Sequence, residues 1–240
     1  MSTKLEQFLE LNNFNYGKIG SVYQVNVIKK EEILELMSFS NSKHIPLYFN
    51  YSDKIKIVSK SQESACIFLN FINFDEISEK NIPNRYVVVE PRIKAKYLNE
   101  VLKEDNFIFL PFLGNEADIN IGQMIFNNII GANQVETADS ILGLEVILPN
   151  GDIIHTGSKT LKSVSGYDIT SLFIGSQGIF GIITKATLRI DPIISQSKEK
   201  TTKMNKRIIE LNFNDEEIRF LQKLKKVIDP ENILNRNYLI

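Results

Sequence analysis

The residues that could do chemistry are concentrated in one window of the sequence. Ten of the twelve glycines lie between Gly114 and Gly181, and the last three, Gly175, Gly178 and Gly181, are spaced by three residues. Glycine permits positive φ and close approach of the backbone to a ligand. A tight loop of this kind exposes backbone N–H groups that can bind phosphate or the polar edge of a ring. The same spacing is also typical of a plain turn between core strands, and it matches neither the Rossmann loop nor the nucleophile elbow.

Other reactive side chains are few. His44 is expected at the surface between a helix and a strand, and His155 on an exposed hairpin strand, where it is a weak candidate for a base. Neither has a carboxylate at ligand spacing, so we predict no metal site. Asp168 is expected to fix a turn through backbone hydrogen bonds. Cys66 is the only cysteine, and a single thiol excludes an internal disulfide and a cysteine-ligated iron–sulfur cluster. The low cysteine count favours a cytoplasmic location. Cys66 itself is expected to be buried.

Composition excludes several classes of function. Lys and Arg number 28 against 29 Asp and Glu, so the net charge is -1, which argues against a nucleic-acid partner. No apolar run approaches the ~20 residues of a transmembrane helix. Lys4, Glu6 and Glu10 leave no room for a signal-peptide core at the N-terminus.

Hydrophobic periodicity supplies the elements that must position the glycine loops. The first ninety residues are predicted to form a small α/β unit of five strands and one helix. Its predicted strands are 22–28, 45–49, 55–58, 66–70 and 85–90, and its helix opens at Lys30. Downstream, helices are predicted at 97–103 and 121–130, a β-hairpin at 142–156 with Asn-Gly in its turn, and a long strand at 181–190. A polar, lysine-rich connection (195–206) leads to a possible strand at 208–213. A helix capped by Asn214 follows and is stopped by Pro230.

A family resemblance rests on four motifs. The segment after Ser163 reads VSGYDITSLFIGSQGIFGIITKATLRI, and upstream lie IGQMI, then Asn128 and Gly131, then the tetrapeptide GLEV. The C-terminal stretch reads KKVIDPENILN. Together they resemble the FAD-binding domain of the vanillyl-alcohol oxidase and D-lactate dehydrogenase superfamily, the PCMH type. The likeness covers about residues 22–192 and 215–235.

The resemblance implies an α+β fold with two FAD-type lobes, 1–90 and 91–192, followed by a linker and C-terminal helix over 193–240. Within the superfamily the chain is most similar to the short flavin subunit of glycolate oxidase. Full-length members insert a substrate cap before the C-terminal helix, whereas about two dozen residues stand there in this chain. A domain cannot build a core from so little apolar sequence, so we predict that no cap is present.

By the same resemblance FAD would lie between the lobes, with its adenine and pyrophosphate near 114–122 and 175–183. Tyr167 is either a core aromatic or part of the flavin site. No catalytic and no metal-binding residue is implied. The implied cofactor-binding residues are Pro111, Gly114, Asn115, Asn120, Ile121, Gly122, Asn128, Gly166, Tyr167, Gly175, Gln177, Gly178, Gly181, Ile182 and Ile183.

One departure from the family pattern bears on function. Family members wrap the FAD pyrophosphate with a glycine-rich loop, and the corresponding residues here, Asn50–Lys54, contain no glycine. Phosphate binding depends on backbone donors and positive potential, so we predict weakened FAD binding. The resemblance implies an accessory subunit of a glycolate- or D-lactate-oxidising complex, inactive alone. A larger flavoprotein subunit and an iron–sulfur subunit are the implied partners. A flavin-free scaffold and a stand-alone flavin carrier are the alternatives.

Overall fold

Two larger β-sheets, a small two-stranded sheet and the helices around them make up the part of the chain that the computed structural model describes, which is residues 2–52, 65–111, 119–131, 134–158, 168–193 and 214–236. The helices are α1 (Ser2–Leu11), α2 (Lys30–Lys43), α3 (Ala95–Lys103), α4 (Ile121–Phe126), α5 (Thr170–Phe173) and α6 (Asp215–Ile228). The strands are β1 (Asn15–Ile19), β2 (Val22–Val27), β3 (Leu47–Phe49), β4 (Cys66–Phe71), β5 (Ile77–Asn81), β6 (Tyr86–Val89), β7 (Phe107–Ile108), β8 (Ile141–Ile147), β9 (Ile153–Gly157), β10 (Ile182–Arg189) and β11 (Asp191–Pro192). The α+β class predicted from the sequence is confirmed.

The first sheet has the strand order β1-β2-β4-β3. β1 and β2 form an antiparallel hairpin, and β4 runs parallel to both of its neighbours. Parallel neighbours require a crossover, and α2 provides it between β2 and β3. The C-terminal segment extends this sheet, because Leu234 forms a parallel bridge with Leu47. The segment around Leu234 therefore lies against β3.

The second sheet is antiparallel, with the order β5-β6-β10-β8-β9. β10 lies at its centre, and the predicted β8–β9 hairpin is present. The sequence assigned the strand at 85–90 to the first unit, whereas the structure pairs Val89 with Ala186 of β10. The two sheets divide after Phe71, so the predicted lobe boundary at residue 90 does not coincide with the division between sheets. The boundary itself stays a prediction, and below the names first lobe and second lobe denote the parts of the chain that carry the first and the second sheet.

Helix ends follow the predicted local chemistry. α2 buries Ile33, Leu36, Met37 and Ser40, a helical stripe against the core. It ends at His44, which takes up a left-handed conformation at φ 51° and pairs with Glu231 at the surface. α6 begins with a capping box: the Asn214 side chain accepts hydrogen bonds from the backbone of Glu216 and Glu217, and Glu217 caps in return.

Several predicted bounds differ from the structure. α4 ends at Phe126 instead of Ile130, because Asn127 caps it and Asn128 adopts φ 43°, a conformation that asparagine tolerates. The polar edge strand β5 was not predicted, since its sequence has no apolar alternation. The predicted strands at 55–58 and 208–213 lie outside the described residues.

The main core is a buried cluster that runs from the first sheet to the second without a break. It includes Phe49 of β3 and Phe71 of β4 together with Phe126 of α4 and Ile183 of β10. The two sheets are therefore joined by packed side chains over the described part of the chain. Cys66 is buried, as predicted, and packs in a small separate cluster with Val22 and Phe68.

Candidate functional site

The region where β3 of the first sheet meets helix α4 and β10, the central strand of the second sheet, is the candidate site. We call it the inter-lobe space and define it by Phe49, Tyr51, Gly122, Phe126 and Ile183. The resemblance predicts that FAD lies here. The described residues show what fills this space in the protein itself.

Tyr51 lies at the centre of the inter-lobe space and is 1% exposed. It follows the end of β3, and its hydroxyl donates a hydrogen bond to the carbonyl oxygen of Ile183 at 2.7 Å. Its own carbonyl oxygen accepts a hydrogen bond from the side chain of Asn120. Burial raises the pKa of the Tyr51 hydroxyl well above its usual range, so the phenol stays protonated and can donate. Both polar ends of Tyr51 thus bind the second lobe.

Aromatic rings surround Tyr51. Its ring centroid lies 5.0 Å from that of Phe71 at an angle of 34° and 5.7 Å from that of Phe49, nearly edge-on. Phe126 of α4 packs edge-on at 6.2 Å. Such geometries add about 0.5–1.5 kcal/mol per pair beyond the burial of area. We call these four residues the aromatic cluster; it closes the inter-lobe space with protein side chains.

The absence of a side chain at Gly122 makes room for the Tyr51 ring. A Cβ atom at residue 122 would lie 2.5 Å from Cγ of Tyr51 and 2.8 Å from Cβ of Pro91. Only glycine allows the ring to lie this close to the backbone of α4. The close approach that the sequence predicted for a cofactor at Gly122 is made instead by a tyrosine of the same chain.

The first backbone amides of α4 have partners inside the protein. Ile121 N–H donates to the carbonyl oxygen of Ile93 at 3.0 Å and Gly122 N–H to that of Pro91 at 2.6 Å. Gln123 N–H donates to the side chain of Asn120 at 2.8 Å, which caps the helix. These donors are therefore engaged in this conformation, including those that the sequence proposed for a phosphate.

The glycine-spaced turn at 175–181 packs on the first lobe. Gly175, Gln177 and Gly178 all have positive φ, at 73°, 53° and 72°. Gly175 N–H and Gln177 N–H donate to carbonyl oxygens at the end of α4. A Cβ atom on Gly178 would lie 2.3 Å from Cζ of Phe49, so this turn also accommodates an aromatic ring of the first lobe.

Asn235 joins the two lobes, a role that sequence analysis missed. Its side chain accepts a hydrogen bond from Phe49 N–H at 3.0 Å and donates to the carbonyl oxygens of Phe49 and Gln177 at 3.1 and 2.8 Å. The residue is fully buried. Asn235 is the last residue of the C-terminal family motif, but a linear pattern does not show that its side chain contacts residues 49 and 177.

Glu145 makes a second link between the lobes. Its carboxylate lies 3.0 Å from Lys30 Nζ of α2, accepts from the Thr184 hydroxyl at 2.7 Å and lies 3.2 Å from Nε2 of His155. Burial raises the pKa of Glu145, but the hydrogen bonds from Thr184 and Lys30 outweigh it, and the net pKa is lowered. The His155 side chain is 74% exposed, as predicted, so its environment does not resemble that of a buried catalytic base.

The remaining sequence-predicted residues lie in different parts of the chain. Asn128 does not join the inter-lobe space through its side chain, which binds Ala138 N–H and Glu136 after α4. Gly181 and Ile182 lie at the start of β10 against β8, and Pro111 is buried after β7. Gly114, Asn115, Gly166 and Tyr167 lie outside the described residues. Asp168 binds Ser171 at the start of α5 and so fixes the turn, as predicted.

Two negative findings apply to the described ranges. No group of three or more His, Cys, Asp or Glu side chains there is placed to hold a metal ion. No helix there has the length and apolar character needed to cross a membrane.

Comparison with known families decides the assignment of the fold. Residues 23–157, more than half of the chain, match the family model described as "FAD binding domain". The chain belongs to this FAD-binding family. Residues 203–238 of this FAD-binding chain match a second model, "FAD linked oxidases, C-terminal domain". The recognition made from the sequence motifs is confirmed, and FAD is the cofactor of the family.

Relatives of this FAD-binding chain are FAD-linked oxidoreductases. It is 32% identical over 174 residues to "D-lactate dehydrogenase [cytochrome], mitochondrial" of Arabidopsis thaliana, covering 70% of this chain and 30% of that protein. It is 29% identical over 165 residues to "Glycolate oxidase subunit GlcD" of Bacillus subtilis (strain 168), covering 68% of this chain and 35% of that protein. The chain therefore spans about a third of the length of these relatives.

A solved structure of alkyldihydroxyacetonephosphate synthase has the same fold. It superposes with a TM-score of 0.60 at 14% identity, covering 72% of this chain and 32% of that one. At this identity the likeness concerns the fold alone.

The described residues do not fit FAD in this conformation. The space left by the missing side chains of Gly122 and Gly178 would allow a cofactor to approach the backbone. The rings of Tyr51 and Phe49 occupy this space instead. The amides at the start of α4 are paired within the protein. Binding of FAD at this place therefore requires side chains of the chain to move.

Proposed function

We propose that this chain is a FAD-binding accessory subunit of a complex that oxidises a small 2-hydroxy acid such as glycolate or D-lactate, and that it binds FAD weakly. The family match over residues 23–157 supports the cofactor. Similarity to a D-lactate dehydrogenase and to a glycolate oxidase subunit supports the class of substrate. The observation that carries the weak binding is Tyr51, buried where a cofactor would lie.

The expected loss of FAD affinity follows from backbone N–H groups after β3 that cannot come close to the phosphates. The residues directly after β3 are Asn50, Tyr51 and Ser52, so no glycine there lets the backbone approach a phosphate. Each lost amide contact to a charged phosphate weakens binding by about 1.5–3 kcal/mol. Two such losses lower affinity by roughly 10²–10⁴-fold.

Titration of the purified chain with FAD tests this proposal. We expect partial occupancy as purified, seen in the flavin absorption bands, and an increase in bound flavin when FAD is added. Quenching of free-flavin fluorescence or calorimetry gives the Kd. Full occupancy after extensive dialysis would contradict weak binding, and no binding at high FAD would contradict the cofactor role itself.

The accessory role is inferred from two features that substrate oxidation needs, a substrate cap and a general base. About two dozen residues stand between β11 and α6, where a substrate cap would be inserted. General-base catalysis usually contributes about 10²–10⁴-fold to such oxidations, and the two histidines of the sequence are the surface residues His44 and His155. We therefore propose that a larger flavoprotein subunit and an iron–sulfur subunit accompany the chain. The cytoplasmic location favoured by the single cysteine stays a prediction.

The isolated chain is expected not to oxidise glycolate or D-lactate, even with added FAD and an artificial electron acceptor. Steady-state assays measure this, and the complex recovered from the native host by pull-down serves as the active control. Robust turnover by the isolated chain would refute the accessory role, as would its recovery from the host without any companion subunit.

A flavin-free scaffold is the second candidate function. The closed aromatic cluster and the paired amides of α4 favour it, because the protein completes its core across the inter-lobe space without a cofactor. Fold alone does not imply cofactor binding. The FAD titration above separates the two candidates, since a scaffold would bind no flavin at any concentration of FAD.

A further inference from the structure

A narrow slot that fits one flat aromatic ring lies between the lobes, and the side chain of Tyr51 fills it. One side of the slot is the backbone of α4 at Gly122, where a Cβ atom would lie 2.5 Å from Cγ of Tyr51. The Phe71 ring forms another side, tilted by 34° with its centroid 5.0 Å away. Phe49 and Phe126 meet the Tyr51 ring with their edges. A slot of this shape takes a flat aromatic ring, and the ring is supplied by the chain itself.

The position of Tyr51 in the sequence makes it displaceable. Phe49 and Phe71 lie within strands β3 and β4, and Phe126 ends α4. Tyr51 instead follows the end of β3, and its two hydrogen bonds to the second lobe are with Asn120 and Ile183. Movement of Tyr51 therefore breaks no ladder of the sheet. The Tyr51 hydroxyl, which loses its bond to Ile183, can be hydrated when the side chain turns outward, and the bond from Asn120 is made to the backbone carbonyl and does not depend on the position of the ring.

We propose that Tyr51 is a plug that occupies the flavin nucleotide site and must leave the slot before FAD can enter. The proposal rests on the proposed function, since it names the residue that controls the same site. The chain is then in equilibrium between a closed form, with Tyr51 in the slot, and an open form that binds FAD. When the competent form is a minor one, the apparent Kd is the intrinsic Kd divided by its fraction.

Removal of the plug tests the proposal directly. FAD affinity is measured by fluorescence quenching for the natural chain, Tyr51→Gly and the control Phe71→Ala, with circular dichroism and a thermal melt to verify folding. Phe71→Ala removes a ring from the same cluster but leaves Tyr51 in its slot. We expect Tyr51→Gly to bind FAD about tenfold or more tightly than the natural chain, and Phe71→Ala to show no gain.

Four outcomes are distinguishable. If only Tyr51→Gly binds FAD, the plug stands and the natural chain fails as a FAD carrier. If the natural chain and Tyr51→Gly bind FAD with equal affinity, the plug is wrong and the proposed function stands. If Phe71→Ala gains as much as Tyr51→Gly, loosening of the cluster explains the effect and the plug is wrong. If no variant binds FAD, both proposals fail.

A second measurement on the natural chain covers the case in which Tyr51→Gly does not fold. The protein is labelled with fluorotyrosine, and the Tyr51 resonance is assigned by its loss in Tyr51→Phe. Addition of FAD should shift this resonance towards that of an exposed tyrosine. The resonance of Tyr23, which is buried in the first sheet and bonded to Glu6, is the internal reference. Binding of FAD with an unmoved Tyr51 resonance would overturn the plug.

Discussion

Replacement of Asp229 by alanine is expected to lower the free energy of unfolding by about 3–5 kcal/mol, because it leaves a buried charge without its partner. The side chains of Lys225 and Asp229 are 7% and 0% exposed and form an ion pair one turn apart at the end of α6. Differential scanning calorimetry should show a fall in Tm of on the order of 10 °C.

The hydrogen bonds of this pair explain the size of the effect. Lys225 Nζ donates to Asp229 and to the carbonyl oxygens of Ile179 and Leu234, at 2.6 and 2.7 Å. The three bonds use the three donors of a protonated ammonium group. Burial lowers the pKa of Lys225, and Asp229 opposes that shift. Asp229 also accepts from the backbone N–H groups of Ile233 and Leu234.

An exposed ion pair provides the matched control. Lys80 and Asp105 also form a short pair, at 2.7 Å, but their side chains are 34% and 35% exposed. Solvent-exposed pairs contribute little to stability, so Asp105→Ala should leave Tm nearly unchanged. Equal shifts for Asp105→Ala and Asp229→Ala would contradict the role assigned to burial. The pair also holds Leu234 beside β3, so its loss should loosen the C-terminal segment that carries Asn235.

Gly178→Ala is the second change with a large expected effect. Gly178 has φ 72°, and its added Cβ atom would lie 2.3 Å from Cζ of Phe49 and 2.8 Å from Nδ2 of Asn235. Left-handed backbone for alanine costs about 1–2 kcal/mol, and overpacking of a core adds about 1–3 kcal/mol. We expect a loss of about 2–5 kcal/mol in urea unfolding.

Gly151→Ala separates the two contributions. Gly151 also has positive φ, at 88°, but nothing lies within 4 Å of its Cβ position. This variant should therefore show only the backbone cost, about 1–2 kcal/mol. The difference between the two variants measures the contact between the 175–181 turn and the first lobe. If Gly178→Ala were no worse than Gly151→Ala, Phe49 and Asn235 would not be fixed against this turn.

Several local elements were determined by the sequence alone. The alternation of VYQVNV produced β2, the apolar stripe from Ile33 to Met37 produced α2, and Asn214 capped α6. These features depend on residues a few positions apart, so periodicity and side-chain chemistry suffice to predict them. The family motifs extended this to the α+β fold and to FAD as the cofactor of the family.

The occupant of the inter-lobe space was decided only by the tertiary structure. The sequence showed that the loop after β3 lacks glycine, but it could not show that Tyr51 reaches Ile183, 132 positions away, or that Gly122 receives its ring. Asn235 binds Phe49 across 186 positions in the same way. Such contacts depend on how two sheets pack, and packing joins residues whose separation along the chain carries no periodic signal. The residue types predicted a place for the site, and the packing determined which side chains fill the inter-lobe space.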